Sequence, residues 1–170
     1  MLSGLKHKID EKQDPLQLLR QHALAGPGEG NGCLQCNEVQ YLNSKPSVGA
    51  IIVKNQHVLL VRSSSEHEGW DLPGGFLLFG ESPLDGLRRE LREELNVGIS
   101  IERIVDAQVD TYGSRGEYSL NLFYKAHLIS GIPQPSGEIR EVEWFEIDRL
   151  PNLTYKSTQS VLSNLAQASA

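Results

Sequence analysis

Three glutamates and two arginines crowd into six residues of this chain, Arg89-Glu90-Leu91-Arg92-Glu93-Glu94, and Leu72-Pro73-Gly74-Gly75 stands upstream of them. If the run is helical, side chains turn by about 100° per residue. Glu93 then lies at about −60° and Glu94 at about +40° from Glu90, so the three carboxylates share one face within roughly 6 Å of axial rise. Like charges four residues apart cost a few tenths of a kcal/mol in an isolated helix, offset in part by Arg88, Arg89 and Arg92. A charge run is ordinarily a solvated surface; a local rule broken without evident gain marks a place where function tends to sit. The chemistry open to such a cluster is capture of a hard divalent cation. Magnesium takes oxygen ligands, commonly one or two carboxylates plus substrate phosphate oxygens, and manganese is the natural substitute. Such ions neutralise a pyrophosphate and lower the pKa of water. Gly74 and Gly75 let the backbone pass close to the ion, where a bare carbonyl could become a ligand.

The elements that must position these groups are legible on either side. Ser82 is a good N-cap, Pro83 suits the first helical position and Asp85 follows the cap by three residues, so a helix is expected over 83–95. Leu84, Leu87, Leu91 and Leu95 fall in one arc of about 80° and are expected to face a core. Gly86 costs about 1 kcal/mol against Ala in a helix, which implies close packing at that point. Val48 to Val53 and His57 to Arg62 read as a hairpin about Lys54-Asn55-Gln56. A polar loop, Ser63 to Gly69, leads to the Trp70-Asp-Leu-Pro stretch. After the helix come two long strands; in the second, Tyr118, Leu120, Leu122, Tyr124, Ala126 and Leu128 alternate as in a half-buried strand. Val142 to Phe145 is a last strand and Thr154 to Ala168 a closing helix. The expected class is α/β, a mixed sheet carrying a central and a C-terminal helix. Residues 47–170 form the main domain and 1–46 an N-terminal extension, with a short helix over Pro15 to Ala25 and a linker over Gly26 to Gly32.

The stretch Gly75 to Val97 resembles the Nudix box. Gly75, Glu81, Arg89, Glu90, Leu91, Glu93, Glu94 and Val97 fit its pattern, and Asn96 stands where the family has Gly. Asn is the next-best residue for the left-handed conformation expected there. The resemblance extends over Ser47 to Arg62, the Trp70 lead-in, Val142-Glu-Trp-Phe145 and Leu150-Pro151. It implies a Nudix α/β/α sandwich and magnesium-dependent hydrolysis of a nucleoside diphosphate linked to another moiety. It also implies Glu90 and Glu94 as principal metal ligands, the Gly75 carbonyl as an additional ligand, Glu93 as a further ligand or water-orienting base, and Arg89 as the residue orienting the carboxylates through Glu81 or Glu93. The general base of the family can sit on a later loop; Glu138 and Glu141 are candidates by position. Arg62, ending the strand before the loop, could meet a phosphate. Tyr112 stands near the place where ADP-ribose enzymes of the family often carry Pro, and with Trp70, Phe76 and Tyr118 it is a candidate for stacking on a base. The array that follows the box in NADH-cleaving members is absent; Ala107-Gln-Val-Asp-Thr-Tyr112 stands there. ADP-ribose-like, dinucleotide and nucleoside triphosphate substrates stay open. The alternative function is a nucleotide-sensing Nudix module without turnover.

The 170 residues carry a formal net charge of −6, which argues against gripping a nucleic-acid duplex by counterion release. No run approaches the ~18 apolar residues of a membrane span, and residues 1–10 lack the apolar stretch of a signal peptide. The expectation is a cytoplasmic enzyme with a small-molecule nucleotide substrate. Cys33-Leu-Gln-Cys36 is similar to the second knuckle of the zinc ribbon that precedes some Nudix domains. A full zinc site takes four ligands, and no first cysteine pair exists, so completion would need His7 and His22 or another subunit of a homodimer. The other reading is a relic with two free thiols.

Overall fold

The computed structural model describes residues 31–32, 39–40, 43–64, 69–113 and 116–168. The chain divides into two units, Met1–Asn43 and Ser44–Ala170. In the first, β1 (Asn31–Gly32) and β2 (Val39–Gln40) pair antiparallel. The expected N-terminal helix, Cys33, Cys36, His7 and His22 lie outside the described residues.

The second unit runs β3 (Lys45–Lys54), β4 (His57–Ser63), β5 (Gly74–Phe76), α1 (Pro83–Leu95), β6 (Gly98–Tyr112), β7 (Glu117–Ser130), β8 (Ile139–Glu146) and α2 (Lys156–Ala168). The strand order is β6-β7-β3-β4-β8, with β5 also on β3. The β3–β7 pair is parallel and the others antiparallel, so the sheet is mixed. Alternate residues of β3 feed two cores. Val48, Ala50 and Ile52 join Leu87, Leu91 and Leu95 of α1 on one face. Ile51 joins Trp70, Leu72, Val161 and Leu162 on the α2 side. A period of 2 in the strand thus serves a helix on each face, and the architecture is an α/β/α sandwich.

The hairpin β3–β4 turns on Asn55 and Gln56, both left-handed at φ 50° and 64°, as a two-residue turn joining twisted strands requires. Beyond Val53↔Val58 and Lys54↔His57 the two strands part. The segment Trp70 to Phe76 enters the fork and bonds to both sides. Ala50 N–H donates to Pro73 O and Val61 N–H to Asp71 O, each at 2.9 Å, and Ser47 pairs with Phe76. This wedge brings the two glycines to the sheet's centre.

In α1, the Ser82 side chain accepts from Asp85 N–H at 3.2 Å, and Asn96 closes the helix at φ 56°, ψ 35° with its N–H directed at the carbonyls of Arg92 and Leu91. Leu87, Leu91 and Leu95 are fully buried, each contributing about 2 kcal/mol of transfer free energy. Leu84 departs from the expected stripe and is 41% exposed. Leu77 fills the space over the first turn instead, so close to Gly86 that a Cβ there would lie 2.4 Å from its Cδ2.

Candidate functional site

Arg89 is the hub of the acidic face. Its Nε and Nη2 donate to Glu81 at 2.8 and 2.9 Å, its Nη1 to Glu90 at 2.7 Å and to Glu93 at 3.0 Å, and Nη2 also to the Phe76 carbonyl at 3.1 Å. A planar guanidinium with five donors can hold this many acceptors at once; an ammonium cannot. Glu81, whose other bond comes from Leu78 N–H, is held down to about 2 by Arg89, and these partners raise the Arg89 pKa further. Arg89 thus ties the helix to the Phe76 backbone and sets where Glu90 points.

Among the described residues Glu94 has no cationic partner. Its Oε2 accepts from Gly74 N–H at 2.9 Å. Burial and the nearby charges of Glu90, Asp71 and Glu138 push its pKa up to about 8. Burial also raises Glu90, against the pull of Arg89. Gly75 faces this carboxylate directly: a Cβ at that position would lie 2.6 Å from Glu90 Cδ and 2.7 Å from each carboxylate oxygen. The glycine therefore keeps open the space before Glu90.

These residues fit a divalent cation. Two carboxylates raised chiefly by burial, Glu90 and Glu94, stand beside a bare peptide, which is the donor chemistry magnesium uses. Among the described residues no three His, Cys, Asp or Glu groups form a ready-made cage. Glu93 is turned to Arg89.

Glu94, Gly74 and Gly75 open on a cavity of about 300 Å³ formed where β3 and β4 diverge. Glu138 and Tyr112 also line it, and the Tyr112 ring lies 4.8 Å from that of Phe76. Lys45 Nζ sits 3.9 Å over the Phe76 ring. Arg62 is turned away from the cavity. Its neighbours Val61 and Ser63 line it, whereas Arg62 stacks 4.5 Å over Trp70 and bonds Glu141 at 3.3 Å. Glu141 is also 3.2 Å from Arg140. Trp70 is core and Tyr118 is exposed, so of the aromatic candidates the cavity holds Phe76 and Tyr112.

The far wall was not visible in the sequence. Asp71 accepts from the Thr158 hydroxyl and from Leu72 N–H, and Asp110 accepts from Ser157 N–H at 2.7 Å. Burial opposes ionisation of Asp110, but the Ser157 and Thr111 amides hold its pKa below the usual range. Both aspartates thereby tie α2 to the sheet. Ser47 donates to Asn121, whose amide donates to Gln108 O at 3.4 Å. The contacts span 87, 47 and 74 residues for Asp71, Asp110 and Ser47, beyond the reach of local patterns.

Among known proteins, the NUDIX domain family matches residues 43–165. The NAD-capped RNA hydrolase NudC of Pseudomonas aeruginosa is 34% identical over 127 residues, 71% of this chain and 43% of that protein. The putative ADP-ribose pyrophosphatase YjhB of Bacillus subtilis is 29% identical over 132 residues, 75% of this chain and 63% of that protein. A solved UDP-X diphosphatase superposes with a TM-score of 0.64 at 29% identity, covering 76% of this chain and 66% of that one. A NUDIX hydrolase from Nitrosomonas europaea gives 0.65 at 25%, covering 78% and 76%. The chain spans less than half the length of NudC. It belongs to the Nudix family.

Proposed function

We propose that this Nudix-family chain hydrolyses a pyrophosphate bond in a nucleoside diphosphate derivative, with magnesium or manganese held by Glu90, Glu94 and the Gly75 carbonyl. One observation supports this above the others. Asp71, Glu94 and Glu138 line the cavity, and among the described residues no Lys or Arg lines it. A diphosphate cannot enter so acidic a site unless its charge is met by cations.

The residues divide the work. When bound, the cation supplies charge neutralisation of the diphosphate and makes water more acidic. Arg89 holds Glu90 in place and keeps Glu93 within one helical turn of it. Gly74 N–H fixes the Glu94 carboxylate. Glu138, at the cavity and close enough to Glu94 to raise its pKa, is the proposed general base, and Glu93 is a further ligand once released by Arg89. Phe76 and Tyr112 offer a face for a base. The catalytic part is residues 47–170. NudC and YjhB, whose names specify NAD-capped RNA and ADP-ribose, favour substrates with an adenosine diphosphate portion.

The test is a panel of ADP-ribose, NADH, dinucleoside polyphosphates and nucleoside triphosphates, incubated with magnesium or manganese and resolved for products. Cation-dependent turnover that disappears in Glu94→Gln supports the reading. Tight binding of one ligand with turnover of none replaces it with a nucleotide sensor.

A further inference from the structure

We infer that Asp71 reads the nucleoside end of the substrate, its Oδ2 accepting a hydrogen bond from an N–H or O–H donor; the inference rests on the hydrolase reading above and deepens it. Asp71 lies in the wedge between β3 and β4, held on β4 by the paired bonds of its own N–H and C=O with Val61, each 2.9 Å. Its side chain lines the cavity that Glu94 also lines. Both hydrogen bonds it accepts, from Thr158 Oγ1 and Leu72 N, fall on Oδ1. Among the described residues no donor reaches Oδ2.

Several other polar groups of that wall are committed. Asn121 takes the Ser47 hydroxyl and gives its amide to Gln108 O, Ser119 is directed at Asp110 O, and Ser157 N–H is bound by Asp110. Asp71 Oδ2 is therefore an acceptor this wall leaves open, with Val48, Leu72 and Phe123 among the residues lining the same cavity. Once a ligand shuts solvent out of the cavity, an acceptor left without a donor costs about 1–3 kcal/mol, so a ligand that brings one is favoured and a ligand that lacks one is rejected. A cavity of about 300 Å³ is at the low end for small-molecule sites and holds one nucleoside-sized group. Phosphates ionised at pH 8 carry no N–H or O–H donor, so the donor belongs to the base or its sugar, and Phe76 and Tyr112 line the same cavity. Burial lifts the Asp71 pKa to about 6, which leaves it an ionised acceptor at pH 8. The two donor sources on a nucleoside are an exocyclic amino group and the ribose hydroxyls.

The experiment compares matched substrates at pH 8 with saturating magnesium: the adenosine form of the best panel substrate, its purine-riboside form lacking the 6-amino group, and its 2′-deoxy and 3′-deoxy forms. It is read as kcat/KM and, by calorimetry, as Kd of the corresponding nucleoside diphosphates, so a chain that binds without turnover is tested as well. The expected result is a loss of about 10- to 100-fold for one donor-deleted form, identifying base or sugar as the source. Asp71→Asn, which turns an amide N–H₂ toward the cavity, should erase that discrimination while the cation requirement stays as it was. Wild-type protein that treats all four forms alike overturns the inference without reference to any variant. So does an Asp71→Asn variant that weakens every form equally or shifts only the magnesium dependence. Failure of the hydrolase reading would show separately, as no turnover of any panel member.

Discussion

Replacing Glu94 by Gln should make the cation-free protein more stable while destroying its activity. Glu94 is normally a carboxyl of pKa 4.5, and the fold raises it to about 8 through burial, with Glu90, Asp71 and Glu138 adding repulsion. At about 1.4 kcal/mol per tenfold change in proton affinity, that shift corresponds to about 5 kcal/mol of penalty on the ionised folded state. The sign follows from proton uptake. Between pH 4.5 and 8 the folded state keeps a proton that the unfolded chain has released, so stability falls as pH rises through that window and the full penalty is present above it. Gln carries no charge, and its amide oxygen can still accept from Gly74 N–H. In urea unfolding with chelator present, Glu94→Gln should equal or trail wild type near pH 5 and exceed it by several kcal/mol at pH 9, with a flatter dependence on pH between. Magnesium should then recover stability in wild type and not in the variant, because a cation that binds only the folded state stabilises it by mass action. A variant less stable than wild type at pH 9, or one whose stability follows the same pH dependence, would refute the claim that an unneutralised charge is stored at this position.

Arg89→Lys should lower magnesium affinity and kcat together by at least tenfold, since one ammonium cannot replace donors to Glu81, Glu90, Glu93 and Phe76 O; an unchanged rate would show that the guanidinium network is not what positions the carboxylates. Gly75→Ala should displace the Glu90 carboxylate, given the 2.6 Å approach, and raise the magnesium concentration needed for half-maximal rate while leaving Tm within a few degrees. Asn96→Gly should be neutral to stabilising by up to about 1 kcal/mol and Asn96→Val destabilising by more than that, because φ there is 56° and a β-branched residue resists the left-handed region; equal Tm for both would contradict the cap geometry.

How much of this could be read beforehand depends on the range of the forces involved. The limits of α1 were legible because Ser82, Pro83, Asp85 and Asn96 settle backbone conformation within a few residues of themselves. The β3–β4 hairpin was legible for the same reason at Asn55 and Gln56. Leu84 was misplaced because an apolar arc states only which way a side chain points, and it cannot show that Leu77 arrives first. Glu138 and Glu141 looked equivalent by position; the β8 register sets Glu141 opposite Arg62, while Glu138, just before the strand, lines the cavity. Asp71 and Asp110 gave no local signal, since each finds its partners on α2 through the closed fold.

The outer strand β6 carries a consequence for behaviour at high concentration. It is 15 residues long and lies at one border of the sheet, a length that would ordinarily offer a flat row of free peptide groups to a neighbour. Its ladder with β7 slips between Gly98 and Ile99, between Ile101 and Arg103, and between Ile104 and Asp106, and Glu102 is drawn to Lys125 and His127 of β7. Each slip bends the strand and breaks the regular spacing of its outward N–H and C=O groups. Such breaks, with charges beside them, make the border a poorer template for edge-to-edge pairing than a straight strand of that length.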